Sequence, residues 1–234
     1  MAETLVIVPT YNERENVDAI AEAVLRALPD GDLLLVDDAS PDGTGYLADR
    51  AASRSTRITV LHRPRKEGLG PAYLAGFIWA LARNYRQIIE MDGDFSHDPA
   101  DLPRLEAAIR AGADLAIGSR YIPGGRIEGW PLYRHVLSGA ANRYAGTLLG
   151  PAVRDWTSGF KCFNRRALQV VIDGGTPANG YVFQVQGSYH VLRAGLRLVE
   201  LPIVFRERTR GASKVHYNSA TEALLAVWKL RRNR

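Results

Sequence analysis

The sequence predicts an α/β fold with a mostly parallel central sheet flanked by helices, and three observations lead there. Short β-branched runs alternate with longer helical patterns through the first 118 residues. The runs are apolar, as strands covered on both faces are. Residues of unusual chemistry follow the carboxyl ends of the runs, where open α/β sheets bind their ligands.

The strands expected in order are Thr4–Val8, Asp32–Asp37, Arg57–Leu61, Gln87–Met91 and Asp114–Ile117. Helical spacing fills the gaps at Arg14–Leu28, Asp42–Ala52, Leu69–Asn84 and Pro99–Ala111. Pro29, Asp30 and Gly31 stop the first helix, and Asp98 before Pro99 is an N-cap with proline at the first helical position. After Gly118 comes the turn-rich Ile122–Arg126, then a helix from Pro131 to Gly150 on which Leu132, Val136, Ala140, Tyr144 and Leu148 form one apolar stripe. A helix over Val182–Ala194, a strand over Leu198–Phe205, a charged loop over Arg206–His216 and an amphipathic helix over Thr221–Leu230 complete the expectation. No repeat or long linker divides residues 1–234, so one domain is expected.

The chain has 234 residues, of which 46% are hydrophobic and 24% charged, a globular composition that excludes collagen and a disordered tail. Its net charge of +5 is compatible with phosphate-bearing partners without requiring them. Cys162, the single cysteine, excludes an internal disulfide, and the first residues lack a basic segment followed by a long apolar one. These features favour a cytoplasmic protein. No window of 18 apolar residues occurs, so contact with a membrane would be peripheral.

Three constellations could carry chemistry. Asp92-Gly93-Asp94 follows the fourth apolar run; residues two apart on an extended chain face the same way, and a carboxylate pair suits Mg²⁺ or Mn²⁺ held jointly with substrate phosphates. Ser96 offers a further oxygen, and Asp98 is better explained as the cap. The second constellation combines Val36-Asp37-Asp38 after strand two with Pro9-Thr10-Tyr11-Asn12-Glu13 after strand one. There a ring and carboxylates could receive a nucleoside, or Asn12 and Glu13 could instead cap the first helix. Neither G-x-G-x-x-G after strand one nor a P-loop is present, which excludes both of those phosphate cradles. The third is basic: Arg63, Arg65, Lys66, Arg120, Arg134, Arg143, Arg206, Arg208, Arg210 and Lys214 recur at strand ends, a helix and a glycine-containing loop. Such a set fits several phosphates better than nucleic acid, for which no motif is present. Nucleophile elbows and paired-cysteine metal motifs are missing, and the histidines suit packing, with His97 beside the acidic pair held open.

Taken in order, VIVPTYNERENV, VDDASPDGT, HRPRKEGLGPAYLAGF, EMDGDFSHDP, AIGSRY, WPLYRHVLSGAANRYA, DWTSGFKCF and FRERTRGASK resemble the catalytic domain of polyprenol-phosphate (dolichol-phosphate) mannosyltransferases, inverting nucleotide-sugar transferases of GT-A, Rossmann-like fold. The resemblance runs from Thr4 to about Lys214. It implies transfer of mannose from GDP-mannose to polyprenyl or dolichyl phosphate; UDP-glucose or another donor on the same fold, and a non-catalytic nucleotide-sugar-binding partner, are the alternatives. It also implies that Pro9, Tyr11, Glu13, Val36 and Asp38 hold the nucleoside, and that Asp92, Gly93 and Asp94 hold the sugar diphosphate. Asp94, with Asp92 and Ser96, would ligate Mg²⁺ or Mn²⁺. Arg120, Arg208 and Lys214 would meet donor or acceptor phosphate, and Arg134 the acceptor phosphate. Arg206–His216 would form a lid pivoting at Gly211. The enzyme would work peripherally at the cytoplasmic face of a membrane, through the final helix and the Pro131–Gly150 helix or through a separate membrane-anchoring protein. The final helix could equally pack on the sheet.

Overall fold

The computed structural model describes residues 2–175, 181–208 and 220–232. Five apolar runs become parallel strands: β1 (Thr4–Thr10), β2 (Asp32–Asp37), β3 (Ile58–His62), β4 (Gln87–Glu90) and β5 (Leu115–Ser119). The helices between them are α1 (Val17–Ala27), α2 (Thr44–Arg54), α3 (Leu69–Leu81) and α4 (Leu102–Arg110), the last preceded by a 3₁₀ turn at Pro99–Asp101. The Asp98 side chain caps that turn by accepting from Ala100 N, as expected.

The later elements are β6 (Arg126–Glu128), α5 (Leu132–Leu149), β7 (Lys161–Asn164), α6 (Arg165–Asp173), α7 (Tyr181–Arg193), β8 (Leu198–Pro202), β9 (Val204–Arg206) and α8 (Ala220–Arg232). Several of these depart from the sequence reading. β6, β7 and α6 were not expected, and the run Leu198–Phe205 is split at Ile203, which sends β9 into a separate parallel ribbon with β6.

The main sheet has the order β3-β2-β1-β4-β7-β5-β8, with β7 antiparallel between β4 and β5. Alternate residues of each central strand serve opposite faces. Leu5 and Ile7 of β1 join Tyr73 and Phe77 of α3 and Phe183 of α7, while Val6 and Val8 join Val17 and Ile20 of α1 and Leu105 of α4. Both faces are therefore dry, and polar groups collect at the carboxyl edge. The antiparallel direction of β7 matters for function, because it starts at that same edge and sets Lys161 opposite Glu90, the last residue of β4.

The stripe on α5 is divided: Tyr144 and Leu148 pack against the core, while its first half does not. Asn142 and Ala145 are buried, whereas Leu132, Tyr133, Val136 and Leu137 are exposed, Leu132 at 78%. On α8, Val227 is buried in the core beside α5 while Leu224, Leu225 and Trp228 remain exposed, so the helix both packs and presents an apolar face. Tyr144 Oη donates to Leu224 O at 3.0 Å, and Arg231 donates to Leu148 O, joining the two helices.

Candidate active site

Three loops leave the carboxyl edge after β1, β2 and β4, and each contains a non-glycine residue in the left-handed region: Asn12 (φ 53°), Ala39 (φ 53°) and Phe95 (φ 62°). Such backbone is uncommon and persists where its surroundings enforce it, often at functional sites. Here the enforcement is visible. Asn12 N donates to Ser40 Oγ, Ser40 Oγ donates to Asp37 Oδ1 at 2.5 Å, and Glu13 N donates to Thr44 Oγ1, so the first two loops brace each other.

In the β1 and β2 loops, Asp38 is buried and ion-paired with Arg63 at 2.5 Å, and also accepts from Glu67 N. The Lys66 ammonium lies 4.1 Å from the centre of the Tyr11 ring. The Glu13 carboxylate accepts from Asn16 Nδ2, and its carbonyl accepts from the amides of Asn16 and Val17 at the start of α1. Asn16, not Asn12, is the N-cap residue. Asp42 accepts from Thr44 N and Oγ1 at the start of α2. Pro9 pairs with Val36 across β1 and β2. The Val36 side chain is fully buried in the core, which limits any ligand contact there to its backbone.

Asp92 and Asp94 lie beyond the end of β4, so a turn, not strand alternation, brings them together. The Phe95 backbone reverses the chain, and Asp94 Oδ1 accepts from both the amide (3.0 Å) and the hydroxyl of Ser96. Ser96 thus buttresses Asp94. Gly93 permits the close approach, since a Cβ would lie 3.1 Å from Val8 Cγ1. Asp92 is raised to about 8, by its packed surroundings first and then by Asp94 and Glu90, although a third of its side chain still reaches solvent. Two crowded carboxylates of this kind fit a divalent cation, which relieves their repulsion. Among the described residues no three His, Cys, Asp or Glu side chains are grouped to hold a metal unaided. Substrate phosphates and water would complete the ligand set, as Mg²⁺ and Mn²⁺ allow.

Cations surround this pair, each matched to an acid. Arg208 Nη2 is 2.9 Å from Asp94 Oδ2. Arg206 bridges Asp98 (3.1 Å) and Glu128 (3.3 Å). Arg134 pairs with Glu207. A cavity of about 230 Å³ opens here, lined by Asp94, Phe95, Asp98, Pro99, Arg206 and Glu207. A larger one of about 520 Å³ runs along α5 past Tyr121, Arg143 and Arg154, away from the paired carboxylates. Lys214, Arg210 and the pivot Gly211 lie outside the described residues.

Beneath the pair, Arg120 and His97, which the sequence analysis singled out, are joined by Glu90, Asp155, Lys161 and Gln184, which it did not. Arg120 is buried and bound by Asp155, while Lys161 is buried 3.6 Å from Glu90 and donates to Gln184 O and Oε1. Burial raises Glu90 to about 7, partly countered by Lys161. His97 is buried, stacked on Phe160 with centroids 5.0 Å apart, and lowered to about 4, chiefly by burial. It is therefore neutral at pH 7, and its Nδ1 accepts from Asp92 N at 3.4 Å. The signal for Asp155, Trp156 and Lys161 in the sequence was a run of large and charged residues between turns, which spacing alone does not resolve.

Comparisons with known proteins give the family and the fold. The model of glycosyl transferase family 2 matches residues 5–172. The polyprenol monophosphomannose synthase of Mycolicibacterium smegmatis is 48% identical over 231 residues, covering 97% of this chain and 87% of that protein. The undecaprenyl-phosphate mannosyltransferase of Micrococcus luteus is 44% identical over 223 residues, covering 95% and 91%. Among solved structures, glucosyl-3-phosphoglycerate synthase from Mycobacterium tuberculosis with Mn²⁺, uridine diphosphate and phosphoglyceric acid superposes with a TM-score of 0.73 at 17% identity, covering 98% of this chain and 78% of that one. A mannosyltransferase from Pyrobaculum calidifontis with GDP-Man and Mn²⁺ gives 0.61 at 16%, covering 97% and 69%. At these identities the structures establish the shared GT-A fold. With the matched segment spanning the sheet from β1 to α6 and both acidic loops, the chain belongs to glycosyl transferase family 2.

Proposed function

We propose that this enzyme transfers mannose from GDP-mannose to the phosphate of a polyprenyl or dolichyl monophosphate, with inversion, giving polyprenyl-phosphate β-mannose. Two relatives at 48% and 44% identity over nearly the whole chain, both named for mannosyl transfer to a polyprenyl phosphate, carry the acceptor and the sugar. The guanine base of the donor rests on the family resemblance.

Pro9, Tyr11, Glu13, the Val36 backbone and Asp38 are assigned to the nucleoside, and Asp92, Gly93 and Asp94 to the diphosphate. Asp92 and Asp94, the latter fixed by Ser96, would hold Mg²⁺ or Mn²⁺. When bound, the cation neutralises charge on the leaving diphosphate. Arg208 and Lys214 contribute positive charge to the same group. Arg120 and Arg134 receive the acceptor phosphate, with Arg120 also near enough to the donor site to draw the Asp92 carboxyl downward. An acceptor phosphate oxygen forms the new bond to the anomeric carbon as the bond to GDP breaks, and GDP leaves with the electron pair. A phosphate monoester has a second pKa of about 6, so the acceptor is already an anionic nucleophile and no base is needed. The chain's work is positioning and charge stabilisation.

A lipid acceptor calls for a membrane surface, and the exposed apolar residues of α5 and α8 lie on two joined helices, α8 ending in Lys229, Arg231 and Arg232. This face would lie on the cytoplasmic leaflet, as basic amphipathic helices do on anionic lipid. Among the described residues no helix is long and apolar enough to cross a membrane.

The test is labelled-sugar transfer into an organic-extractable product by the purified protein with Mn²⁺ or Mg²⁺, a short polyprenyl phosphate, and GDP-mannose or UDP-glucose. Lipid label from GDP-mannose alone, lost in Asp94→Ala, is the expected result. Label from UDP-glucose alone would overturn the donor assignment, and label from neither would overturn the catalytic one.

A further inference from the structure

We propose that Asp155 is the positioning residue of the transfer: it sets the Arg120 guanidinium in place for phosphate and, through Thr157 and Asn142, ties that setting to α5. This rests on the phosphate role given to Arg120 above.

The contacts around Asp155 are unusually complete. It is fully buried; Oδ2 accepts from Arg120 N (2.9 Å) and Nε (2.7 Å), and Oδ1 accepts from Arg120 Nη2 (2.7 Å) and from Thr157 Oγ1 (3.4 Å). An ionised carboxylate has about four lone-pair sites. All four are used, three of them by Arg120, so Asp155 has no acceptor site left with which to take a proton from a substrate. The fork-to-fork pair fixes the plane of the guanidinium, which a point contact would not.

Asp155 is itself held. Glu200 on β8 accepts from the amides of Arg154 (2.8 Å) and Asp155 (2.9 Å), and Ser158 Oγ donates to Gly118 O at 2.6 Å, fastening this segment onto the end of β5. Thr157 Oγ1 accepts from Arg120 Nη2 at 2.7 Å and from Asn142 Nδ2 at 3.1 Å, while Asn142 Oδ1 accepts from Thr157 N. Asn142 is one of two buried residues of α5, whose other side carries the exposed apolar face and Arg134. The rings of Phe205, Tyr121 and Trp130, 5.3 to 5.8 Å from Arg120 Cζ, wall the guanidinium further. A buried guanidinium needs such pairing to stay charged in place, and a reacting group misplaced by about 1 Å loses on the order of 100-fold in rate.

Asp155→Asn keeps the shape but turns one oxygen into an amide that cannot accept from the fork. The expected result is a fall of about 100-fold in kcat/KM for polyprenyl phosphate. GDP–Mn²⁺ binding by calorimetry should stay within about threefold, and the pH–rate profile should keep its shape. In an Arg120→Lys background the same substitution should cost under about threefold more, because residues acting as one unit are not additive. Thr157→Val, which leaves the ion pair intact, should show a smaller loss in the same parameter. Additive losses, transfer by Asp155→Asn near that of the unsubstituted enzyme, or loss of the acid limb of its pH profile would overturn the proposal. If Asp155→Asn does not bind GDP–Mn²⁺, Thr157→Val decides, and full activity there overturns it. Unchanged transfer in Arg120→Lys alone would instead remove the phosphate role of Arg120, and the clamp with it.

Discussion

Glu207 and Arg134 form an ion pair between the end of β9 and the first turn of α5, and the next residue along the chain, Arg208, lies 2.9 Å from Asp94. Two neighbouring side chains thus occupy both halves of the site. The Glu207 carboxylate sits where an acceptor phosphate would meet Arg134, and the Arg208 guanidinium sits beside the carboxylate assigned to the cation. On the proposed assignment, both pairs would open as the substrates enter.

Glu207→Gln should therefore lower the KM for polyprenyl phosphate severalfold, since the competing charge on Arg134 is gone. Arg134→Ala should raise it. Initial rates against acceptor concentration decide the matter, and a higher KM in Glu207→Gln would mean that Glu207 organises Arg134 and does not compete for it.

At the donor half, Arg208→Gln should tighten Mn²⁺ binding to the nucleotide-free protein while reducing kcat, because the same cation that blocks Asp94 before binding stabilises the diphosphate afterwards. Asp94→Asn should abolish Mn²⁺-dependent GDP binding. Calorimetry with Mn²⁺, then with GDP and Mn²⁺, separates the two effects; weaker Mn²⁺ binding in Arg208→Gln would contradict the competition.

Much of this was legible in the sequence because the information is local. The bounds Asp32–Asp37 for β2 and the Asp98 cap are met as expected, and the acidic loops do follow β2 and β4. What escaped depends on distant partners. β7 is four residues with a lysine at its head, and Lys161 belongs in a strand only because Glu90 and Gln184 wait to satisfy it. The α5 stripe has a sound helical period, but periodicity does not say whether an apolar face meets protein or something else. Arg120 stands out as a phosphate ligand by its place after β5, whereas Asp155, 35 residues on in the segment DWTSGFKCF, has no assigned partner until the fold joins the two. The left-handed Ala39 and Phe95 are likewise invisible to residue type, whereas Asn12 is of a type that favours that region.

The exposed face of α5 yields a test of the membrane assignment. Leu132→Glu with Val136→Glu places charge where side chains are 78% and 64% exposed, so the fold should be unaffected. Flotation with anionic vesicles should fall sharply, along with turnover on long-chain polyprenyl phosphate, while turnover on a short, water-soluble acceptor should persist. Unchanged flotation would remove this face from the membrane contact, and absence of flotation by the unsubstituted protein would point to a separate anchoring protein.

The buried Glu90–Lys161 pair makes stability depend on pH with a definite sign. Burial raises the Glu90 carboxyl from 4.5 to about 7 in the folded protein. A carboxyl with a raised folded value contributes stability that is fully present below about pH 4.5 and is lost as pH rises through about 7. With Asp92, raised to about 8, adding to the same trend, the metal-free enzyme should show a melting temperature that declines between pH 5 and 8, and Glu90→Gln should make that decline shallower. Lys161→Met should destabilise most above neutral pH, where an ionised Glu90 would be a buried charge without a partner, a loss approaching about 3–5 kcal/mol. The decline with pH should steepen in this variant, since Lys161 is what holds the Glu90 value down. Adding Glu90→Gln to Lys161→Met should recover a large part of the loss, because no carboxylate is then left alone. Denaturant unfolding at pH 5 and pH 8 measures all four proteins, and equal destabilisation of Lys161→Met at both pH values would show that Lys161 acts through packing and its bonds to Gln184, not through the charge on Glu90.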